Sequence, residues 1–191
     1  PKTIVEECVQ RLGSIDILIN SAGICPLGEV LEFDRSKWDP TVAVNLTAAF
    51  EMSFEAAKFM VPQKSGKIIN ICSMFSFLGG RLSSAYAATK HGIAGFTKSV
   101  ALETARFGIT SNAICPGYVW TPLVEKQVDD LAKSHGISRE QVATDIILAS
   151  QPNKKFVKVE EVAALAVFLC SDAARNIHGV GLPIDGAFSA Q

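Results

Sequence analysis

Tyr86 and Lys90 are four residues apart, a spacing that places both side chains on one face of a helix. A free tyrosine titrates near pH ~10. An ammonium group about 5 Å from the phenol, at an effective dielectric constant of about 20, favours the phenolate by roughly 3 kcal/mol. We therefore predict that Lys90 lowers the pKa of Tyr86, so that Tyr86 exchanges a proton with an alcohol or a ketone near neutral pH.

Ser73 adds a hydroxyl group to this pair. It follows a short apolar run and lies in the loop that leads into the helix of Tyr86. A serine there could hydrogen-bond the same substrate oxygen with which Tyr86 exchanges its proton, and so orient the substrate. A tyrosine and a lysine at this spacing are individually common, so the hypothesis depends on the elements that bring all three residues together.

Helical and strand patterns alternate around these residues. Apolar residues recur at helical spacing in four segments: 3–12, 36–61 (one helix or two), 84–107 and 160–170. Short apolar runs predict four buried strands: 15–19, 67–71, 109–114 and 180–184. A turn is predicted at 62–66. This alternation predicts an α/β domain with a parallel sheet, in which ligands bind at the carboxyl ends of the strands.

The segment 118–158 is less regular and is predicted to be an insertion over the substrate site. Thr121 followed by Pro122 can begin one helix. Ser138 and Gln141 have the spacing of a capping box for a second one. Neither helix belongs to a strand–helix repeat, so we expect a single domain over residues 1–191 with an inserted substrate loop.

Composition excludes several other classes of protein. The chain has 191 residues, is 48% hydrophobic and 19% charged, and has a net charge of −1, which favours one packed domain without a nucleic-acid-binding surface. No apolar run reaches the ~18 residues of a membrane span, and no signal-peptide pattern is present. The five scattered cysteines favour buried, reduced thiols in the cytoplasm over a disulfide framework or a metal site.

Three motifs together resemble those of the short-chain dehydrogenases/reductases. Residues 20–23 (Asn-Ser-Ala-Gly) are similar to the family's Asn-Asn-Ala-Gly element, and residues 116–121 are similar to its Pro-Gly-x-Val-x-Thr element. The catalytic tetrad is matched by Asn45, Ser73, Tyr86 and Lys90. The resemblance extends over essentially the whole chain. It implies a Rossmann-like, doubly wound parallel sheet in a three-layer αβα arrangement, incomplete at its N-terminal side.

The resemblance implies a role for each matching position. Tyr86 would be the catalytic acid/base, Ser73 would bind the same substrate oxygen, and Lys90 would also hold the ribose hydroxyls of NAD or NADP. Asn45 would kink its helix and hold a water that relays protons to Lys90. The remaining contacts with the cofactor fall into two groups. Those on its adenosine side would be made by Asn20, Ala22 and Gly23, and those at its nicotinamide end by Pro116, Gly117, Val119 and Thr121. Each motif alone has an ordinary structural explanation, but their joint occurrence favours an enzyme.

Within the family the sequence most resembles D-3-hydroxybutyrate dehydrogenases, and Gln127 occupies the position of their carboxylate-binding glutamine. Three positions depart from that subgroup, because Cys25, Phe75 and Ser83 replace its glutamine, histidine and lysine. A pocket with Phe75, Trp120 and Phe188 suits a more apolar alcohol or ketone, although Phe75 could equally be ordinary loop packing. We therefore expect a secondary alcohol and its ketone as substrates, either 3-hydroxyacid-like or more apolar.

The family's glycine-rich diphosphate loop, Thr-Gly-x-x-x-Gly-x-Gly, is absent from these residues. Two interpretations are open: the chain is part of a longer enzyme, or it is a truncated, non-catalytic homologue that acts as an assembly or binding subunit. The intact tetrad favours the first interpretation. Without the preceding strands, the strand at 15–19 is expected to form an exposed apolar edge.

The two long helices, around residues 38–60 and 84–107, carry small and apolar residues on more than one face. The resemblance implies that they pack against a second subunit, in a homodimer or a homotetramer. The alternative is that both helices are simply buried within one chain.

Overall fold

Four parallel strands form the centre of the computed structural model, which describes residues 1–190 apart from the side chain of Leu123. The strands are β1 (Ile17–Asn20), β2 (Gly66–Ile71), β3 (Ile109–Pro116) and β4 (Gly181–Ile184). They lie in the order β1-β2-β3-β4, with Leu18 beside Ile68 and Ile114 beside Leu182. The predicted α/β class with a parallel sheet is therefore confirmed.

Helices connect the strands, as the alternating pattern predicts. The α-helices are α1 (Lys2–Leu12), α2 (Trp38–Val42), α3 (Ala48–Gln63), α4 (Ser84–Thr104), α5 (Pro122–His135), α6 (Arg139–Gln141) and α7 (Val159–Cys170). The helical segment predicted at 36–61 is two α-helices, joined by a π-helical turn at Ala43–Thr47. A left-handed glycine, Gly13, ends α1 at φ 87°, as the sequence predicts.

The core lies on both faces of the sheet because successive strand residues point to opposite sides. On one face, Ile68 packs with Ala56 and Met60 of α3 in a cluster that also includes residues of α1. On the other face, its neighbour Ile69 packs with Leu169 of α7. The result is the predicted three-layer arrangement.

Two element boundaries differ from the prediction. The turn predicted at 62–66 is wrong, because α3 continues through Gln63 with Pro62 in its last turn. A proline so close to the end of a helix removes one hydrogen bond without breaking the turns before it, and Lys64 then ends the helix in the left-handed region at φ 54°. Strand β1 begins at Ile17 rather than Ile15, although Ile15 is buried in the core.

Strand β1 is an edge of the sheet. Its Leu18 is buried, whereas Ile17 and Ile19 on the opposite face are 47% and 46% exposed. The expectation of an exposed apolar edge strand is therefore confirmed.

The two ends of the segment 118–158, which is predicted to be an insertion, lie next to each other in the structure. Val119 and Val157 form an isolated parallel bridge, with Trp120 N–H donating to the Val157 carbonyl at 2.9 Å. Between them lie α5, α6 and a second π-helical turn, Val142–Ile147. The capping box at the start of α6 is present, because Gln141 N–H donates to Ser138 Oγ at 3.1 Å and Ser138 N–H donates to Gln141 Oε1 at 3.0 Å.

All five cysteines are unpaired, but they do not share one environment. Cys72 and Cys115 are buried, as predicted, whereas Cys25 is exposed, so the prediction of a buried thiol is wrong for Cys25. It lies in the loop after β1, where its sulfur is only partly buried. Of the helices in residues 1–190, none has the length and apolarity that a bilayer crossing requires.

A chain of buried polar side chains joins two strands to two helices near the carboxyl ends of the strands. Asn20 Nδ2 of β1 donates to Asn70 Oδ1 of β2 at 2.8 Å and lies 3.1 Å from Ser53 Oγ of α3. Asn70 Nδ2 in turn donates to Thr97 Oγ1 of α4 at 2.9 Å. Because buried polar groups are costly when unpaired, this chain specifies how α3 and α4 lie against the strand ends.

We expect Asn70→Ala to lower the free energy of unfolding by roughly 1–3 kcal/mol, since it removes the hydrogen bonds that join the Asn70 side chain to Asn20 and Thr97 in the core. Urea denaturation followed by circular dichroism measures the loss. Asn176→Ala, at an exposed position, is the matched control and should change stability by less than about 0.5 kcal/mol. Equal effects of the two substitutions would show that the buried chain does not stabilise the fold.

Candidate active site

Ser73 is held rigidly just beyond β2. It caps the short helical turn Met74–Ser76, where its Oγ accepts a hydrogen bond from Phe75 N–H at 3.2 Å. Its own N–H lies 3.3 Å from Ser76 Oγ. Both ends of the residue are therefore fixed, and its hydroxyl is held at the carboxyl edge of the sheet.

The structure brings Tyr86 and Lys90 to this hydroxyl group. Both lie in the first turns of α4, and the Ser73 side chain is close enough to the Tyr86 phenol to affect its pKa. Lys90 is only 4% exposed, and its Nζ donates to the Ile71 carbonyl at 2.7 Å. The same Nζ lies 5.5 Å from the centre of the Tyr86 ring. A phenol, an ammonium and a hydroxyl therefore meet at the end of β2.

Asn45 lies within the π-helical turn between α2 and α3. Its Oδ1 accepts from Ile24 N–H at 2.8 Å, and its Nδ2 donates to the Ile24 carbonyl at 2.9 Å and to Thr89 Oγ1 at 3.1 Å. The side chain thus binds the loop after β1 to α4, close to Lys90. Single π-helical turns within α-helices are frequent at functional sites, and this one aims the Asn45 amide at the loop.

Burial dominates the electrostatics of the pair. It raises the pKa of Tyr86 to about 12, an effect that the Ser73 side chain opposes only in part, and nearby Cys25, Cys72 and Cys115 raise it further. Burial also lowers the pKa of Lys90. The pKa of Tyr86 is therefore raised in the chain without cofactor, rather than lowered towards neutrality as predicted, because burial disfavours the phenolate.

A cavity of about 260 Å³ adjoins this group. Among the residues that line it are Ala22, Asn45 and Lys90. Gly23 lies beside the same two polar side chains, since a Cβ atom at this position would be 3.5 Å from Asn45 Oδ1 and 3.8 Å from Lys90 Nζ. The side chain of Asn20, in contrast, is turned into the buried polar chain and binds Asn70 and Ser53.

The residues predicted for the nicotinamide side lie at the ends of β3 and β4. Gly117 N–H donates to the Ile184 carbonyl at 3.1 Å, and a Cβ atom on Gly117 would lie 2.9 Å from Gln151 Oε1. Only glycine fits there without displacing that amide. Pro116 is the last residue of β3, Val119 forms the bridge to Val157, and Thr121 Oγ1 caps α5 at 3.4 Å from Val124 N.

These surroundings fit a nicotinamide nucleotide at the ribose end. Lys90 has given one of its donors to the Ile71 carbonyl and retains others for ribose hydroxyls. The glycine at position 23 leaves space directly beside the ammonium group.

Aromatic rings lie next to Tyr86. The Phe75 ring lies edge-on to Tyr86 at 6.4 Å and to Phe188 at 6.3 Å, and Phe188 lies 6.5 Å from Tyr118. Tyr118 was not predicted to line the site, although its place within the Pro-Gly-x-Val-x-Thr element is a signal that could have identified it. Trp120, expected in the same pocket, instead packs on Phe156 at 4.9 Å.

Gln127, predicted to bind a substrate carboxylate, lies on an exposed part of α5. Within residues 1–190, no hydrogen bond joins its side chain to Ser73 or Tyr86. The structure therefore groups Ser73, Phe75 and Tyr86 together but does not place Gln127 with them.

Comparison with known proteins agrees with this geometry. The family model described as enoyl-(acyl carrier protein) reductase matches residues 2–189. The chain is 47% identical to an uncharacterised oxidoreductase of Escherichia coli over 188 residues, covering 98% of this chain and 68% of that protein. It is 46% identical to D-beta-hydroxybutyrate dehydrogenase of Rhizobium meliloti over 181 residues, covering 95% of this chain and 70% of that protein.

Solved structures show the same likeness. An actinorhodin polyketide ketoreductase with NADPH superimposes with a TM-score of 0.90 at 33% identity, covering 100% of this chain and 73% of that chain. The chain is a short-chain dehydrogenase/reductase. A gluconate 5-dehydrogenase from Burkholderia cenocepacia, in complex with NADP and tartrate, has a TM-score of 0.88 at 33% identity, with 100% and 71% covered. This short-chain dehydrogenase/reductase is thus an NAD(P)-dependent oxidoreductase that acts on hydroxyl and ketone groups.

The shift in the pKa of Tyr86 can be measured directly, because the chain contains only two tyrosines. In the Tyr118→Phe variant without cofactor, the phenolate absorbance of Tyr86 should appear with a midpoint at about pH 12, compared with ~10 in the unfolded chain. A rapid pH jump measures it before unfolding. Since the folded pKa is raised, the stability that the neutral phenol contributes is complete below pH ~10 and is lost as the pH rises towards 12. A folded midpoint at or below pH 10 would contradict the dominance of burial.

Proposed function

We propose that Tyr86 is the acid/base catalyst in the interconversion of a secondary alcohol and a ketone, with Ser73 orienting the substrate oxygen. The observation that carries this proposal is the contact of the Tyr86 and Ser73 hydroxyl groups beside the buried ammonium of Lys90. A substrate oxygen within reach of both hydroxyl groups would exchange its proton with Tyr86 and accept or donate a hydrogen bond at Ser73.

In the oxidative direction, the substrate O–H bond breaks, its proton passes to the Tyr86 oxygen, and the C–O bond becomes a carbonyl. When bound, NAD(P) in its oxidised form would supply the acceptor for the hydride released as the substrate C–H bond breaks, and the positive charge of its ring would favour the phenolate. Lys90 would bind the ribose hydroxyls and supply positive charge beside the phenol. Asn45 holds the loop of Ile24 beside Lys90, and we propose that the adjoining cavity admits a water for proton relay.

A non-catalytic subunit is not the favoured alternative. All four tetrad side chains lie in or beside one group, and the ammonium of Lys90 is buried there at an energetic cost, which favours a role for its charge in the reaction. The relatives compared above include a dehydrogenase and a ketoreductase by name.

Replacing Tyr86 by Phe should lower kcat by a factor of about 10²–10⁴, because the ring remains while the proton-exchanging hydroxyl is lost. Ketone reduction is followed by the absorbance of NADPH or NADH. Ser134→Ala, which removes an exposed hydroxyl of α5, is the control and should leave kcat unchanged. Nucleotide fluorescence checks that the Tyr86→Phe protein still binds its cofactor. Turnover retained by a folded, cofactor-binding Tyr86→Phe variant would exclude Tyr86 as the acid/base.

We also propose that two copies of the chain associate through an aromatic patch on α3 and α4, formed by Phe50, Phe54 and Phe96. The Phe50 ring stacks on Phe54 at 6.2 Å and meets Phe96 edge-on at 5.7 Å. Phe50 and Phe54 are nevertheless 48% and 53% exposed. A contiguous aromatic surface on two adjacent helices supports the four-helix contact between subunits that the family resemblance implies.

Phe54→Glu should shift the protein from a dimer or tetramer to a smaller species, because a carboxylate would be buried without a partner in the contact. Size-exclusion chromatography with light scattering measures the mass. Phe33→Glu, an aromatic-to-acid change outside α3 and α4, is the control and should leave the mass unchanged. If the unsubstituted chain is already monomeric at micromolar concentrations, the patch is not a subunit contact.

A further inference from the structure

We propose that this enzyme selects substrates whose second substituent is uncharged and predominantly apolar, and that an aromatic wall formed by Phe75, Tyr118 and Phe188 provides the selection. The inference rests on the proposed function, since it concerns the substrate of the same Tyr86–Ser73 site. It decides between the 3-hydroxyacid-like and the more apolar substrates that the sequence leaves open.

The aromatic wall begins at the catalytic ring and extends away from it. Phe75 meets Tyr86 at an interplanar angle of 88° and Phe188 at 84°, and Phe188 meets Tyr118 at 79°. Edge-to-face contacts of this kind stabilise the rings relative to one another. The three residues of the wall are each half-buried, so part of each ring remains accessible. A group attached to the reacting carbon would therefore meet ring surface.

The wall is assembled at the carboxyl ends of three neighbouring strands. Phe75 follows β2, Tyr118 follows β3 and Phe188 follows β4. Ligands of parallel sheets bind at this edge. Its position and its contact with Tyr86 thus place the wall in the substrate region rather than in the core.

Phe75 cannot withdraw from the wall without moving the loop behind it. A Cβ atom on Gly80 would lie 2.8 Å from two atoms of the Phe75 ring, so the loop backbone packs directly against the ring. Ser83 lies behind the same glycine and is 1% exposed, and among the described residues its hydroxyl has no hydrogen-bond partner. Because it is enclosed by protein, Ser83 offers the substrate no polar contact.

Three positively charged residues on the segments around the site each have a partner in the structure. Lys90 is bound to the Ile71 carbonyl at the reacting end. Arg81, in the same loop as Phe75, is 92% exposed and lies 3.9 Å from Glu29. Lys154, on the inserted segment, donates to the Leu148 carbonyl at 2.9 Å.

The remaining polar neighbour of the two phenols is uncharged. The Cys25 thiol interacts with both Tyr86 and Tyr118, and partial burial of its sulfur raises its pKa. A carboxylate placed against this wall would lose its hydration and gain no partner of opposite charge, which is strongly unfavourable. An alkyl or aryl group would bind favourably there, because its contact with water, which is itself unfavourable, is removed.

Two methyl ketones with the same two-methylene spacer test the proposal: benzylacetone, which ends in a phenyl ring, and levulinate, which ends in a carboxylate. Reduction by the full chain, with NADPH and with NADH, should give a kcat/KM for benzylacetone at least about tenfold above that for levulinate. Phe75→Ala should lower kcat/KM for benzylacetone at least about tenfold and change that for levulinate much less, so the ratio of the two falls.

Phe77→Ala is the matched control for Phe75→Ala. Phe77 lies in the same loop and is 43% exposed, but its ring packs towards Gly181 rather than against Tyr86. This variant should keep the ratio of the unsubstituted enzyme. Arg81→Ala should keep it as well, whereas a loss of levulinate reduction in Arg81→Ala would show that Arg81 binds the carboxylate and would overturn the proposal.

The substrate class and the catalytic proposal fail in different ways. An equal or higher kcat/KM for levulinate, or a ratio that Phe75→Ala leaves unchanged, overturns the aromatic wall while loss of turnover in Tyr86→Phe still supports the catalytic role. If neither ketone is reduced, calorimetric titration of benzylacetone into the NADP-saturated protein decides the matter. Binding that Phe75→Ala weakens supports the wall, and absence of binding overturns it.

Discussion

The hydrogen bond from the Lys90 ammonium to the Ile71 carbonyl is the interaction on which the site depends. A buried ammonium group must be hydrogen-bonded, and its acceptor here is the last residue of β2. Ser73 follows Ile71 by two residues, and Tyr86 precedes Lys90 by one helical turn. One contact between a helix and a strand end therefore determines how closely the hydroxyl groups of Ser73 and Tyr86 approach.

The same burial sets the chemistry of the pair. It raises the pKa of Tyr86 and lowers that of Lys90, so the low-polarity surroundings favour the neutral form of each residue. Protein alone thus holds Tyr86 as a proton donor, the state needed for reduction of a ketone. The reverse reaction requires a phenolate, and an additional positive charge at the site favours it. We therefore expect the pKa of Tyr86 to depend on whether a bound cofactor is in its oxidised, positively charged form.

The arrangement separates reaction chemistry from substrate selection. The reacting groups come from the end of β2 and the start of α4, where the buried chain of Asn20, Asn70 and Thr97 fixes the packing of the helices on the strands. The aromatic rings that we propose to face the substrate come instead from segments after β2, β3 and β4, which lie outside that packing. A common fold can in this way serve different alcohols and ketones, so similarity along the whole chain does not by itself determine the substrate.

Local sequence patterns predicted much of the secondary structure and the main site residues. The strand–helix alternation, the capping box of Ser138 and the glycine that ends α1 were predicted and observed, because each depends on residues within a turn or two of one another. The spacing of Tyr86 and Lys90, and the place of Ser73 after a buried strand, were sufficient to predict which groups meet. Sequence periodicity could not predict that α3 continues past Pro62, or that a π-helical turn interrupts the helix at Asn45. Packing against other elements decides both features.

Only the tertiary structure decided the electrostatics and the lining of the site. The direction of the Tyr86 pKa shift depends on how completely distant segments exclude water from the phenol, and helical spacing carries no information about that. Cys25 proved to be exposed rather than part of the core, which its place in the sequence did not indicate. The wall joins residues 75, 118 and 188, which are far apart in the chain and become neighbours only because the strands that precede them are adjacent. The sequence by itself determined the reacting groups, since their geometry is local; the fold determined their protonation and what surrounds them, since burial is a property of the whole.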